Sequence, residues 1–226
     1  MTPKLKVTFV FMLSIFSFLC FLCIASLFSG QLVKQFDSTI IAFIQGMEAP
    51  WLTVIMKIFT FIGSTKTVVI LSLGLIVFLY KVLHHRLELT LLVMILAGTA
   101  IFNQILKSIF TRERPSLHRL ITETGYSFPS GHSMEAFALY ATIAFLLWRH
   151  MATRRGRTTL VVFSVCMIVL IGISRIYLGV HYPSDVIGAY FASGFWFAIM
   201  VWLFQWYKEF RYSNKKVKER TSNSTK

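Results

Sequence analysis

Residues 87–115 read LELTLLVMILAGTAIFNQILKSIFTRERP. An apolar run, Leu87–Phe110, is followed at once by cations and a proline. A bilayer core needs about 20 apolar residues per helix, so this run predicts a membrane span ending in a charged cluster. Val7–Ser29 and Thr67–Leu83 before it are runs of the same kind, as are Ser133–Trp148, Thr158–Leu178 and Val186–Tyr207 after it. The expectation is an all-α integral membrane protein with six transmembrane helices, forming one domain over residues 1–226. Trp51–Gly63 is apolar but too short to span, and it contains Lys57. Residues 30–64 are therefore read as an outer loop with one or two interfacial helices. Lys4 and Lys6 precede the first run as in a signal peptide, but its apolar part is too long for one.

Composition agrees with the spans. The chain of 226 residues is 56% hydrophobic and only 14% charged. Soluble domains carry about 25% charged residues, so a water-facing surface could not be covered. The 22 Phe residues and long apolar runs exclude disorder. The net charge of +14 would suggest nucleic acid in a soluble protein, but here the excess sits in short connections and the tail. No nucleic-acid role is expected. Cys20, Cys23 and Cys166 all lie inside apolar runs, where they fill a helix surface rather than form a redox or metal motif.

Lys and Arg also set direction, because cytoplasmic connections carry the excess. With the N-terminus inside, 15 of the 23 Lys+Arg fall on the cytoplasmic side, including the basic tail 208–226. Both termini are thus expected in the cytoplasm of a multi-pass cell-membrane protein.

Charged and polar groups beside a span are costly and mark function. Three clusters stand out: Lys107-x6-Arg114-Pro115, Pro129-Ser130-Gly131-His132, and Ser174-Arg175-x5-His181-x3-Asp185. The third span exits where the fourth enters, and the fifth exits where the sixth enters. Six spans therefore put all three clusters on one membrane face, the extracytoplasmic one. Lys107, Arg114 and Arg175 have no matching acidic partner in the motifs, and buried like charges need an anion between them. Arginine suits bidentate contact with phosphate oxygens, and lysine acts as a point charge. Lys107 and Arg114 are seven apart, one face of a helix that Pro115 would end. Ser130 and Gly131 resemble a helix N-terminus whose amides meet an anion, and Pro183 suits the first turn of another. A neutral His can attack phosphorus, and a second His can protonate the leaving oxygen. Asp185 lies one turn after His181 and can fix its tautomer.

These clusters resemble the signature of the type-2 phosphatidic acid phosphatase superfamily, K-x6-RP, PSGH and SR-x5-H-x3-D, with no departure at any signature position. The resemblance runs closely from Lys107 to Asp185 and implies a catalytic core from the third to sixth spans. It implies that His181 is the nucleophile of a phosphohistidine intermediate, Asp185 its orienter and His132 the general acid. Lys107, Arg114, Arg175, Ser130 and the Gly131 amide would bind the phosphoryl oxygens. No metal or other cofactor is implied. The small six-helix form is similar to bacterial membrane members acting on phosphatidylglycerol phosphate, phosphatidic acid or undecaprenyl pyrophosphate.

The expected activity is hydrolysis of a lipid phosphate or pyrophosphate. A phosphatase of a soluble phosphate ester and a non-catalytic lipid-binding or transport member are the alternatives. Glu135 is expected to stabilise the first turn of its helix, and Asn103 and Gln104 to bond between helices; headgroup contact is only the lesser reading for the loop residues His118 and Arg119, and Tyr182 stands beside the nucleophile, where it could pack on the lipid. His84, His85 and His150 are expected on the opposite side.

Overall fold

The computed structural model describes the backbone of residues 3–81, 86–116 and 118–224 and the side chains of 8–81, 87–116 and 118–211. His84 and His85 lie outside the described residues. Among the described residues every regular element is an α-helix. In chain order these are α1 (Pro3–Leu27), α2 (Gln31–Gln45), α3 (Pro50–Ile62), α4 (Thr65–Lys81), α5 (Arg86–Phe110), α6 (Gly131–Trp148), α7 (Arg154–Tyr177) and α8 (Pro183–Ser224).

Each apolar run of the sequence became a helix, and residues 30–64 became two. Segments Thr8–Leu27, Leu87–Phe110, Arg154–Tyr177 and Pro183–Arg211 are long and apolar enough to cross a membrane. α4 has only 17 residues, and α6 opens on polar Gly131-His132-Ser133 with Glu135 a turn on. Neither therefore reaches that length and apolarity by itself. α2 and α3 meet at a 120° bend, where Pro50 starts α3 with its ring at a position that needs no N–H. The basic tail continues α8 as helix as far as Ser224.

α6 sits centrally against α5, α7 and α8, while α1 lies along α8 and α3 along α7. The core is therefore threaded along the helices. Leu91, Leu92 and Ile95 meet Leu146 and Met200 towards one end, and Ala136, Leu139 and Ile171 pack near the middle. Towards the other end, Phe128 stacks on Phe21 at 5.8 Å and meets Phe110 edge-on at 5.2 Å. Such ring pairs contribute about 0.5–1.5 kcal/mol beyond area burial. They anchor Phe128 immediately before the Pro129–His132 segment. The ends of α5 and α7 and the starts of α6 and α8 all lie at this end of the bundle.

Candidate active site

α5 ends at Phe110, four residues short of Arg114. Thr111 takes a positive φ of 43°, which breaks the helix before Pro115 can. Lys107 is thus helical, and Arg114 reaches the site from the following loop rather than from the same helix face. Arg114 as a whole is 9% exposed. Its Nε donates to the Gly125 carbonyl at 2.9 Å and Nη2 to that of Thr124 at 3.0 Å. Nη1 meets the Val180 carbonyl at 3.0 Å and His181 Nε2 at 3.1 Å. One residue thereby ties the loop before α6 to the loop before α8.

His181 lies in that second loop and is buried. A guanidinium can only donate, so the contact with Arg114 makes Nε2 the acceptor and leaves the proton on Nδ1. Nδ1 faces Ser127 Oγ at 3.3 Å and Asp185 Oδ2 at 3.5 Å. The carboxylate is slightly too far for a direct hydrogen bond. Ser127 Oγ bridges the gap, donating to Asp185 Oδ2 at 2.5 Å while its lone pairs face Nδ1. Burial, above all, pushes the His181 pKa down to about 4, against the opposite pull of Asp185. The imidazole is consequently neutral at neutral pH, with Nε2 unprotonated. Gly179 makes the turn into this loop: its φ is +72°, and a Cβ there would run into the His118 carbonyl.

Asp185 sits at the start of α8, where Pro183 is the first helical residue as expected. Its Oδ2 also accepts from the Tyr182 amide at 2.9 Å, and its Oδ1 from Arg112 at 2.6 Å. The Ser130 amide donates to the Asp185 carbonyl at 3.2 Å, which joins the starts of α6 and α8. The two N-termini are neighbours, but that of α8 is already occupied: the Ser184 amide donates to Asp37 at 2.8 Å. Ser130 holds the N-cap position of α6 without a side-chain cap bond and accepts from Ser133 Oγ at 2.9 Å. Gly131 follows. A Cβ there would stand 3.1 Å from Asn103 Oδ1 and 4.0 Å from Lys107 Nζ, so its lack of a side chain keeps the α6 amides open to Lys107.

His132 lies within electrostatic reach of Arg175, His181, Lys107 and Arg114. Lys107 and His132 make no hydrogen bond or ion pair among the described residues. Arg175, at the end of α7, is 1% exposed. It is not left without an acid, as the motifs alone suggested, because Nη2 pairs with Glu123 Oε1 at 2.5 Å. Nη1 bonds to Thr60 Oγ1 of α3, and Nε is buried without a partner. Burial opposes ionisation of Glu123, but the charge and hydrogen bond of Arg175, with Arg114 nearby, hold it below the usual carboxylate range. All eight residues singled out in the sequence thus gather at one end of the bundle.

Other polar residues near the site have partners of their own. Glu135 is the fifth residue of α6 and accepts from Thr65 of α4 at 3.1 Å rather than serving the helix N-terminus. Tyr182 lies against the Arg112 guanidinium at 4.0 Å. His118 pairs with Glu48 at 2.6 Å, and Arg119 bonds to the Pro115 and Arg114 carbonyls. Asn103 does bond between helices, donating to the Pro129 carbonyl at 3.3 Å. Arg112, Ser127, Asp37, Glu123 and Thr60 were missed. Arg112 and Ser127 stand beside motif residues, but nothing in their own spacing distinguishes them. Asp37 was the better clue, as the one carboxylate of an amphipathic helix.

The PAP2 superfamily profile matches residues 88–209, which contain all eight candidate residues. Phosphatidylglycerophosphatase B of Bacillus subtilis (strain 168) is 32% identical over 176 residues, covering 76% of this chain and 85% of that protein. A putative undecaprenyl-diphosphatase, YbjG of Escherichia coli (strain K12), is 27% identical over 154 residues, covering 64% and 70%. The crystal structure of a transmembrane PAP2 type phosphatidylglycerolphosphate phosphatase from Bacillus subtilis superposes with a TM-score of 0.73 at 30% identity, covering 83% of this chain and 93% of that one. With this extent of match and its membrane-length apolar helices, the chain is a multi-pass membrane protein and belongs to the PAP2 superfamily.

Proposed function

We propose that the protein hydrolyses a membrane lipid phosphate or pyrophosphate through a phosphohistidine on His181. The observation that carries this is the converging set of Lys107, Arg114 and Arg175 around a neutral His181 whose Nε2 is unprotonated. Such a set is built to receive a phosphoryl dianion and attack it. Nε2 attacks phosphorus and forms the P–N bond as the P–O bond to the leaving group breaks. His132 donates its proton to that leaving oxygen. A water then attacks the phosphohistidine and gives its proton back to His132. Phosphate departs, and the neutral His181 is restored.

The cations have distinct parts. Arg114 holds Nε2 before substrate arrives and turns to a phosphoryl oxygen when it does. Arg175 offers Nε and Nη2 as one edge of its fork, and Lys107 adds a point charge beside the Gly131 amide. Ser130 and that amide complete the cradle. The lipid assignment rests on the apolar helices around the site and on relatives named for lipid phosphates. A panel of phosphatidylglycerol phosphate, phosphatidic acid, undecaprenyl pyrophosphate and a soluble sugar phosphate, each with and without excess EDTA, tests both points. The lipids should be turned over far faster than the sugar phosphate, and EDTA should leave the rate within about twofold, since Lys107, Arg114 and Arg175 supply the charge. Preference for the sugar phosphate, or loss in EDTA restored by Mg²⁺, would reject this reading.

The six-span arrangement, with both termini cytoplasmic and the site extracytoplasmic, follows from the Lys/Arg asymmetry together with crossing parity. Ser116 is exposed in the loop after α5. A single cysteine there, in a chain otherwise lacking cysteine, should react with a membrane-impermeant maleimide on intact cells. Reaction only after lysis would place the site inside.

A further inference from the structure

Behind the dyad of His181 and Asp185 lies a charged network outside the family signature. Arg112 donates from Nη1 to Asp185 Oδ1 at 2.6 Å and to Ser184 Oγ at 2.8 Å. Its Nη2 donates to Asp37 Oδ2 at 2.9 Å. Asp37 belongs to α2 and is 2% exposed. It also accepts from the Ser184 amide at 2.8 Å and from Ser184 Oγ at 2.7 Å. Tyr182 and Phe28 lie 4.0 and 5.1 Å from the Arg112 guanidinium carbon. The Arg112 carbonyl accepts from the Ser127 amide at 2.7 Å, so the same residue also places the hydroxyl that bridges Asp185 to His181.

We infer that Arg112, clamped by Asp37, is a positioning residue of the nucleophile: it fixes the Asp185 carboxylate so that Oδ2 faces Ser127 and His181 Nδ1. The inference rests on the phosphohistidine reading above. A carboxylate with one oxygen free could rotate about its Cβ–Cγ bond and lose its aim. Arg112 holds Oδ1 in a charge-assisted bond while Ser127 and the Tyr182 amide hold Oδ2. Rotation then breaks several bonds together. Asp37 does the same for the guanidinium and in addition balances its charge, so two carboxylates flank one cation in a nearly dry setting. α2, outside the four-helix core, thereby helps set the nucleophile. Arg112 lines a cavity of about 340 Å³ together with Lys34, Asp37 and Tyr182, and His181 is not part of its lining. Direct contact with substrate anion through that cavity is the competing role, and it predicts different kinetics.

The test is a double-mutant cycle on the full-length protein in detergent, using p-nitrophenyl phosphate and a lipid phosphate. Arg112→Met should lower kcat by about 10–100-fold, the scale for losing a partner that orients a working group, with KM within about twofold. Asp185→Asn alone should lower kcat more. The double variant Arg112→Met/Asp185→Asn should be no slower than Asp185→Asn, because Arg112 acts only through that carboxylate. Asp37→Asn, the gentler variant, should lower kcat several-fold in the same pattern and carries the test if Arg112→Met does not fold. Losses that multiply in the double variant, a rise in KM at unchanged kcat, or full activity in both Arg112→Met and Asp37→Asn while Asp185→Asn is impaired would overturn the inference. An active wild type with an equally active Asp185→Asn would instead reject the phosphohistidine reading itself.

Discussion

No phosphoenzyme should form in His181→Ala with any substrate, whereas His132→Ala should still form one from an activated ester. His181 is the group with an unprotonated nitrogen facing Arg114, and on the proposed mechanism its removal takes away the atom that bonds to phosphorus. On the proposed mechanism His132 serves only the departing oxygen. An alkoxide leaving group needs that proton, and general acid catalysis is worth about 10²–10⁴-fold. p-Nitrophenolate departs without it. The wild-type to His132→Ala rate ratio should therefore be large on a lipid phosphate and small on p-nitrophenyl phosphate. Equal ratios on the two substrates, or ³²P trapped on His181→Ala, would reverse the assignment of the histidines. The pH profile carries the same reading. Protonation of His181 removes the attacking lone pair, and burial holds its pKa at about 4. Once kcat/KM is corrected for the substrate's own second phosphate ionisation at about 6, activity should thus survive acidification past the ordinary His range near 6.5, with the remaining acid limb near pH 4.

Arg175 and Glu123 should give opposite results when replaced. The Nε–H and the adjacent Nη2 of Arg175 form one edge of the guanidinium. Glu123 takes Nη2 only, leaving Nε buried and unpartnered. Two phosphoryl oxygens would fill that edge, and they must displace the Glu123 carboxylate to do so. Arg175→Ala removes a preorganised donor pair, and loss of one such donor costs about 10²–10³-fold in kcat. Arg175→Lys keeps the charge without the fork and should fall between. Glu123→Gln keeps Arg175 and removes its internal competitor, so KM for a phosphate monoester should drop several-fold with kcat little changed. An unchanged rate in Arg175→Ala would remove Arg175 from the phosphate site. A raised KM in Glu123→Gln would make the carboxylate a support for Arg175 rather than a rival of the substrate.

The relation of sequence to structure is clearest at Arg114. Its spacing from Lys107 placed both on one face of a continuing helix, yet α5 stops at Phe110 and Thr111 turns the chain. The seven-residue interval brings the two cations together all the same, because a loop can deliver what a helix face was expected to. Glu135 shows the opposite failure. Its proximity to the α6 N-terminus in sequence suggested a local role, but a neighbouring helix supplied Thr65.

By itself the sequence determined the helical runs, the three clusters and the end of the bundle at which they meet. Those follow from apolar length and from the cost of charge near lipid, both of which are properties of the chain read in order. Only the tertiary structure decided who holds whom. Asp37, Thr60 and Glu123 reach the site from α2, α3 and the loop before α6. Ser127 enters between His181 and Asp185. A buried polar group takes the partner that packing brings within about 3 Å, because leaving it unpaired away from water costs about 1–3 kcal/mol. That partner can lie far away in the chain, and spacing along the chain carries no trace of it.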